Sequence, residues 1–235
     1  MAEKLGTIQQ IWRYPVKSMA GEQLDEVEVT FQGIQGDRLH AFVQAKSNSP
    51  FPWLTGRELP TLLQYQPEWV PGDRPALAVR TPSGAQLPVE SDDLLAELTS
   101  ASGREVFRLG NYRGSHDVAP LTFIANATAA HVSAAGGAGI EPRRFRMNFY
   151  VDCPGDSPFA EDAWVGKTLR VGETVRIAVT ERDRRCAMIT LDPDTGEAAP
   201  SVLRKVAEEN DATAGVYATV LTPGFVRAGD AIVAE

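Results

Sequence analysis

Short alternations of apolar and polar residues recur along this chain and are broken by Gly, Pro and Asp clusters. Val27, Val29 and Phe31 alternate with Glu26, Glu28 and Thr30, the period of a strand with one buried face. Leu39, Ala41 and Val43 repeat the pattern just after Gly36-Asp37. Further on, Leu169-Arg170-Val171 and the run from Val175 to Val179 flank Gly172-Glu173-Thr174, which predicts a β-hairpin whose glycine supplies unusual backbone angles. Helical signals are fewer. Ser91-Asp92-Asp93 is positioned to cap LLAEL, a helix that must stop by Gly103. Asn126 is positioned to cap a segment reaching His131 and ending at Gly136-Gly137, and Ser201, with Pro200 just before it, to start a helix through Glu209. Many short strands with few helices predict a mainly β chain of barrel or mixed type with peripheral helices, an α+β arrangement. The polar stretch NYRGSHDVAP, from Asn111 to Pro120, marks a boundary between residues 1–112 and 113–235, and the Pro-rich stretch from Ser49 to Pro52 reads as a surface loop.

The 235 residues, 43% hydrophobic and 23% charged, match an ordinary globular protein able to bury a core without disulfide staples. A net charge of −8 argues against a broad nucleic-acid face, because phosphate neutralisation needs a basic footprint. No run approaches the ~20 apolar residues of a membrane span, and MAEKLGTIQQIW lacks the apolar core of a secretory signal. Two cysteines are too few for a disulfide framework. These features predict a cytoplasmic protein.

Cys186 sits in TERDRRCAMITLDPDTGE, just after Arg182, Arg184 and Arg185, with Glu181 and Asp183 as counter-charges. Neighbouring guanidiniums favour thiolate over thiol, which makes a nucleophile or a soft ligand for a transition metal. A small packed hydrophobe is the alternative. Cys153 has no basic neighbours in sequence and reads as a packed thiol. Lys17-Ser18 can offer an ammonium and a hydroxyl to a phosphate, although the upstream glycines of a P-loop are missing and a solvated loop is the other reading. Arg38, in the tight turn Gly33–Arg38, offers a fork for an oxyanion or a partner for Asp37. Arg143, Arg144 and Arg146 form either an anion pocket or a solvated basic face. His40, His116 and His131 lie in separate segments without metal-ligand spacing, and the absence of GxGxxG argues against a nucleotide-dependent dehydrogenase.

Taken together, YPVKSMAGEQL, GIQGDR, RRFRMNFYVD, PFAEDAWVGKTLRVGE, RRCAMITLDPDTGE, GVYATVL and PGFVRAGDAIV, in that order, resemble the MOSC family, named for the C-terminal domain of molybdenum-cofactor sulfurase. The resemblance covers nearly the whole chain. It implies an N-terminal MOSC β-barrel-like domain over 1–112 packed against a MOSC β-barrel over 113–235, with a molybdenum cofactor (molybdopterin) held between them. In the amidoxime-reducing members, the cysteine matching Cys186 ligates molybdenum. Residues matching Lys17, Ser18, Arg38, Arg146 and Asn148 contact the pterin and its phosphate, and those matching Arg184, Arg185 and Tyr217 lie at the same site. The family is also associated with pyridoxal phosphate binding.

Three departures stand out. Met147 replaces a frequent proline, Arg184 a common serine, and Thr55-Gly56-Arg57 keeps the family's flavour in a divergent neighbourhood. No cysteine-rich ferredoxin-like domain follows, so the resemblance implies a separate electron donor: a ferredoxin, flavin reductase or cytochrome. The leading expectation is a molybdenum-dependent reductase of small N-hydroxylated substrates such as amidoximes and hydroxylamines. A sulfur carrier using a Cys186 persulfide, or a cofactor carrier without turnover, are the alternatives.

Overall fold

The computed structural model describes residues 3–71, 76–137 and 141–235. The chain opens with β1 (Lys4–Arg13), β2 (Glu22–Leu24), β3 (Glu26–Thr30), β4 (Gly33–Ile34) and β5 (His40–Gln44). A 3-10 turn at Pro60–Gln64 leads to β6 (Gln66–Val70), β7 (Ala76–Arg80), β8 (Gln86–Pro88), helix α1 (Asp92–Ser102) and β9 (Val106–Gly110). Then come β10 (Leu121–Ala125), α2 (Asn126–Ser133), β11 (Phe149–Asp152), β12 (Thr168–Val171) and β13 (Val175–Arg184). The chain finishes with α3 (Pro200–Asn210), β14 (Thr213–Thr222), β15 (Gly224–Arg227) and β16 (Ala231–Ala234). The fold is mainly β with three α-helices among the described residues.

Strands β11, β10, β14, β13, β12, β16 and β1 are hydrogen-bonded in that order, and β1 pairs back onto β11. Seven strands thereby close into a barrel, which removes the exposed edges of an open sheet. The first strand, from the 1–112 part of the sequence, is thus a stave of a barrel otherwise built from the 113–235 part. Ile8, Ile11, Phe123, Phe149, Ile177 and Val216 fill it, and the rings of Phe123 and Phe149 stack at 4.7 Å. The sheet β15-β3-β4 packs Val27, Val29, Ile34 and Val226 on the same core. A second core, with Phe42, Leu62, Val79 and Leu94, holds the β5-β9 pair, the β6-β7-β8 sheet and α1 together.

Locally determined elements form as the pattern predicts. Val171 pairs with Val175 around Gly172 (φ 63), and α1 starts with Ser91 Oγ accepting from Leu94 N at 3.2 Å and ends at Gly103 (φ 64). Other elements depart from it. Phe31 is 61% exposed, because β3 ends at Thr30 and the chain turns to Gly33 (φ 100). In β5 the neighbours Ala41 and Phe42 are both buried, so both faces are covered and simple alternation fails. Asn126 does not cap α2: it is the first helical residue, behind Ala125 at the end of β10. Pro200, not Ser201, opens α3, at the position where a missing N–H costs nothing. Ser201 instead donates its hydroxyl to Ala135 O at 2.6 Å.

Beneath α2, the fully buried Glu161 accepts from Thr128 Oγ1 at 2.8 Å and from Gly215 N at 3.1 Å. Burial pushes its carboxyl from 4.5 up to about 7, against the hydrogen bonds it accepts. Folded protein then holds a proton that the unfolded chain has released, so this group's contribution to stability is full at low pH and is lost as pH rises through that window. Glu161→Gln, of the same shape without the charge, is expected to melt above wild type at pH 8, by roughly 1–3 kcal/mol of stability, and to show no such gain near pH 4.5. Thermal melts at the two pH values check this, and a gain independent of pH would refute it.

Candidate functional site

At one end of the barrel a cleft of about 300 Å³ opens between barrel rim and N-terminal loops. Every candidate residue except Asn148 lines it. Two irregularities in the β13–β14 register, between Val179 and Glu181 and between Arg182 and Arg184, carry β13 out past the rim. Such bulges re-aim side chains. Asp183 is buried, whereas Arg184 is exposed. Cys186 follows in extended backbone (φ −118, ψ −177), exposed and free, just before a 3-10 turn at Ala187–Thr190. Arg144 clamps that turn by donating to Ile189 O at 3.1 Å. Cys153, by contrast, is buried at a strand end, and burial pushes its thiol up to about 12.

The cations come from five separate segments, around Lys17, Arg38, Arg57, Arg146 and Arg185. Lys17 is buried, its Nζ donating to Ser115 O and Asp117 Oδ1, both at 2.7 Å. Burial lowers the ammonium in spite of Asp117; burial would also raise the Asp117 carboxyl, but Lys17 outweighs it and holds it below its ordinary value. Arg38 pairs with Asp37 and donates to Arg146 O at 2.8 Å. Both guanidiniums, of Arg38 and Arg146, lie over the ring of Tyr14, at 5.0 and 4.4 Å. Burial, reinforced by Arg38, pulls Arg146 down to about 10, and its Nη2 is buried without a hydrogen-bond partner. Arg185 pairs with Asp183 and donates to Phe145 O at 2.6 Å, while its Nε has no partner. Burial lifts Asp183 to about 6 against the pull of Arg185, and burial with Asp183 nearby raises the Tyr217 hydroxyl. His116, pushed down to about 4 by burial and then by Arg38, presents a neutral imidazole.

Eight cationic side chains thus face three carboxylates in this cleft, on a chain whose net charge is −8. Three of its residues, Ser18 (φ 65), Arg38 (φ 52) and Arg146 (φ 55), hold left-handed backbone. Each such non-glycine position costs about 1–3 kcal/mol, and such strain concentrates where function needs it.

Asn148 lies one layer behind, with no exposed surface. Its Nδ2 donates to Asp37 Oδ2 and Trp12 O, both at 3.2 Å, and its Oδ1 accepts from Thr122 Oγ1 at 2.9 Å. It therefore steadies Asp37, which holds Arg38. The Arg143–Arg146 cluster is not a single anion pocket: Arg143 turns away to Glu141 and Asp194, Arg144 serves the turn after Cys186, and only Arg146 reaches in with an unpartnered nitrogen. Sequence reasoning missed the wall formed by Phe51, Trp53, Thr55 and Arg57, taking part of it for a surface loop, and it missed His116 and Asp117. The Thr55-Gly56-Arg57 motif was the available signal for the first; for His116 none existed.

Among the described residues no group of three or more His, Cys, Asp and Glu side chains gathers as a metal cage, and no helix is long and apolar enough to cross a membrane.

Residues 5–111 match the MOSC N-terminal beta barrel domain and residues 111–233 the MOSC domain. Bovine mitochondrial amidoxime reducing component 2 is 23% identical, covering 83% of this chain and 69% of that protein. Human mitochondrial amidoxime-reducing component 1 is 22% identical over 99% of this chain and 84% of its own length. A molybdenum cofactor sulfurase of Caenorhabditis briggsae is 39% identical over 95 residues, 38% of this chain and 13% of that one. Among solved structures, the YUAD protein from Bacillus subtilis shares the fold, with a TM-score of 0.54 and 14% identity over 100% of this chain and 98% of that one. With its two halves matched end to end, the chain belongs to the MOSC family.

Proposed function

We propose that the cleft holds a molybdopterin-type molybdenum cofactor, with its phosphate among Lys17, Ser18, Arg38 and Arg146 and with the Cys186 thiolate as protein ligand to the metal. The observation that carries this reading is the pair of buried, unpartnered guanidinium nitrogens, Arg146 Nη2 and Arg185 Nε, in a cation-rich cleft. A buried donor left unsatisfied costs about 1–3 kcal/mol, and an anion rich in acceptor oxygens removes that cost. Asn148 acts as a positioning residue through Asp37, and Tyr217, whose hydroxyl stays protonated at neutral pH, offers a hydrogen-bond donor beside Asp183.

The activity this arrangement serves is the reduction of small N-hydroxylated compounds such as amidoximes and hydroxylamines. Two electrons and two protons enter, the N–O bond breaks, and the oxygen leaves as water. The cofactor supplies the two-electron redox chemistry; the chain orients it through the cations of the cleft. A separate ferredoxin, flavin reductase or cytochrome supplies the electrons, and two free thiols fit a reducing compartment such as the cytoplasm. Similarity to human mitochondrial amidoxime-reducing component 1 over 99% of this chain, at 22% identity, supports this reading.

A sulfur-carrier reading draws on the exposure of Cys186 and on the partial match to a molybdenum cofactor sulfurase. There a donor persulfide would pass its outer sulfur to Cys186 and leave as a thiol. Molybdenum per chain, measured by elemental mass spectrometry after expression in a cofactor-competent host, separates the two. Near-stoichiometric metal is expected in wild type and Cys153→Ala, with loss in Cys186→Ala. Reduction of benzamidoxime with an artificial donor then separates a reductase from a carrier. Metal absent from all three proteins sinks the proposal, and a one-sulfur mass gain on Cys186 would favour sulfur transfer.

A further inference from the structure

Five of the eight cations of the cleft form two contrasting sets. Lys17, Arg38 and Arg185 are largely buried, and each is committed to a carboxylate and a carbonyl. Arg57 and Arg184 are exposed, and no carboxylate pairs with either among the described residues. Arg57 donates from Nε to Thr55 Oγ1 at 3.2 Å and so keeps its terminal nitrogens free. Packing brings the two segments together. A Cβ on the buried Gly56 would stand 3.1 Å from both Cε and Sδ of Met188, so the loop carrying Arg57 rests on the turn just after Cys186. The same cleft carries apolar side chains: Phe51 and Val118 line it yet are 46% and 56% exposed. Solvated apolar side chains and free guanidinium forks in one cleft form a surface suited to an amphiphilic anion.

We propose that the substrate of this cleft is a small organic carboxylate, with its charge on Arg57 and Arg184, its apolar body against Phe51 and Val118, and its reducible N–O group toward Cys186. The last element rests on the reductase reading above; the anion site does not.

The test compares para-carboxybenzamidoxime with neutral benzamidoxime in cofactor-loaded wild type, Arg57→Gln, Arg184→Gln and the double variant, with one artificial electron donor. The ratio of the two kcat/KM values within each protein cancels any general loss of activity. Wild type is expected to favour the carboxylate, and each substitution to cut the ratio about tenfold. Calorimetric titration with benzoate and benzamide, which needs no turnover, is expected to show benzoate preferred by wild type and that preference lost in the double variant. A wild type indifferent to the carboxylate, or a ratio and titration unmoved in the double variant, overturns the proposal. So does a fall in molybdenum content in the double variant, or a nucleotide on the released cofactor, since either assigns these guanidiniums to the cofactor. Should neither amidoxime be reduced, the reductase reading fails by itself and the benzoate titration still decides the anion site.

Discussion

Asp37→Ala is expected to destabilise the protein by about 3–5 kcal/mol, as removal of one partner from a buried ion pair does. Asp37 is 2% exposed and bonded on every side. Its Oδ1 accepts from Tyr14 N at 2.7 Å, and its Oδ2 takes both the Arg38 guanidinium and Asn148 Nδ2. Those three partners belong to the end of β1, the tight turn before β5 and the approach to β11. One carboxylate therefore ties barrel closure to the cleft. Alanine would leave a buried guanidinium without its counter-charge and a buried backbone N–H without an acceptor. Asparagine keeps an acceptor for Tyr14 N but loses the charge, so an intermediate loss is expected. Urea unfolding of the three proteins measures this, and a loss below about 1 kcal/mol for alanine, the worth of an ordinary hydrogen bond, would show that the network does not carry the fold.

How much of this was legible in the sequence follows from the range over which each feature is determined. The hairpin around Gly172 and the capped helix α1 are settled by residues within a turn of one another, and they appear where the pattern puts them. The stave β1 is not: its partners β11 and β16 lie far along the chain, and nothing in KLGTIQQIWR names them. Eight of the nine candidate site residues gather in one cleft because consecutive motifs carry them, and the family resemblance supplied their common purpose. Adjacent arginines, however, look alike in sequence. Their fates diverge only because Arg146 takes left-handed backbone, a conformation arginine has no intrinsic tendency to adopt, while Arg143 stays on the 3-10 turn beside Glu141. The loop with Phe51 and Trp53 read as surface because proline and serine dominate its start. Its role in the wall depends on Gly56 meeting Met188, a contact between opposite halves of the chain.

Arg146→Met should separate cofactor retention from stability. The guanidinium is pulled down to about 10 by burial and by Arg38, and its buried Nη2 finds no acceptor. The face of Tyr14, 4.4 Å away, and the nearby Asp37 carboxylate offset that burial in part, and a cation over an aromatic ring returns about 0.5–2 kcal/mol. Methionine keeps an unbranched side chain of similar reach, and its sulfur packs well on an aromatic ring. The left-handed φ of 55 strains either residue alike, so the backbone term cancels. Cofactor-free Arg146→Met is accordingly expected to be as stable as wild type or more so, by up to about 2 kcal/mol, the cost of an unsatisfied buried donor. Its hold on the cofactor should weaken by about 10- to 100-fold, the worth of a charge-assisted hydrogen bond to phosphate. Arg146→Lys, which keeps the charge without the fork, should fall between. Urea midpoints of the cofactor-free proteins and molybdenum retained through dialysis give the two readouts. Destabilisation with unchanged retention would make Arg146 a structural residue and leave the phosphate to Lys17, Ser18 and Arg38.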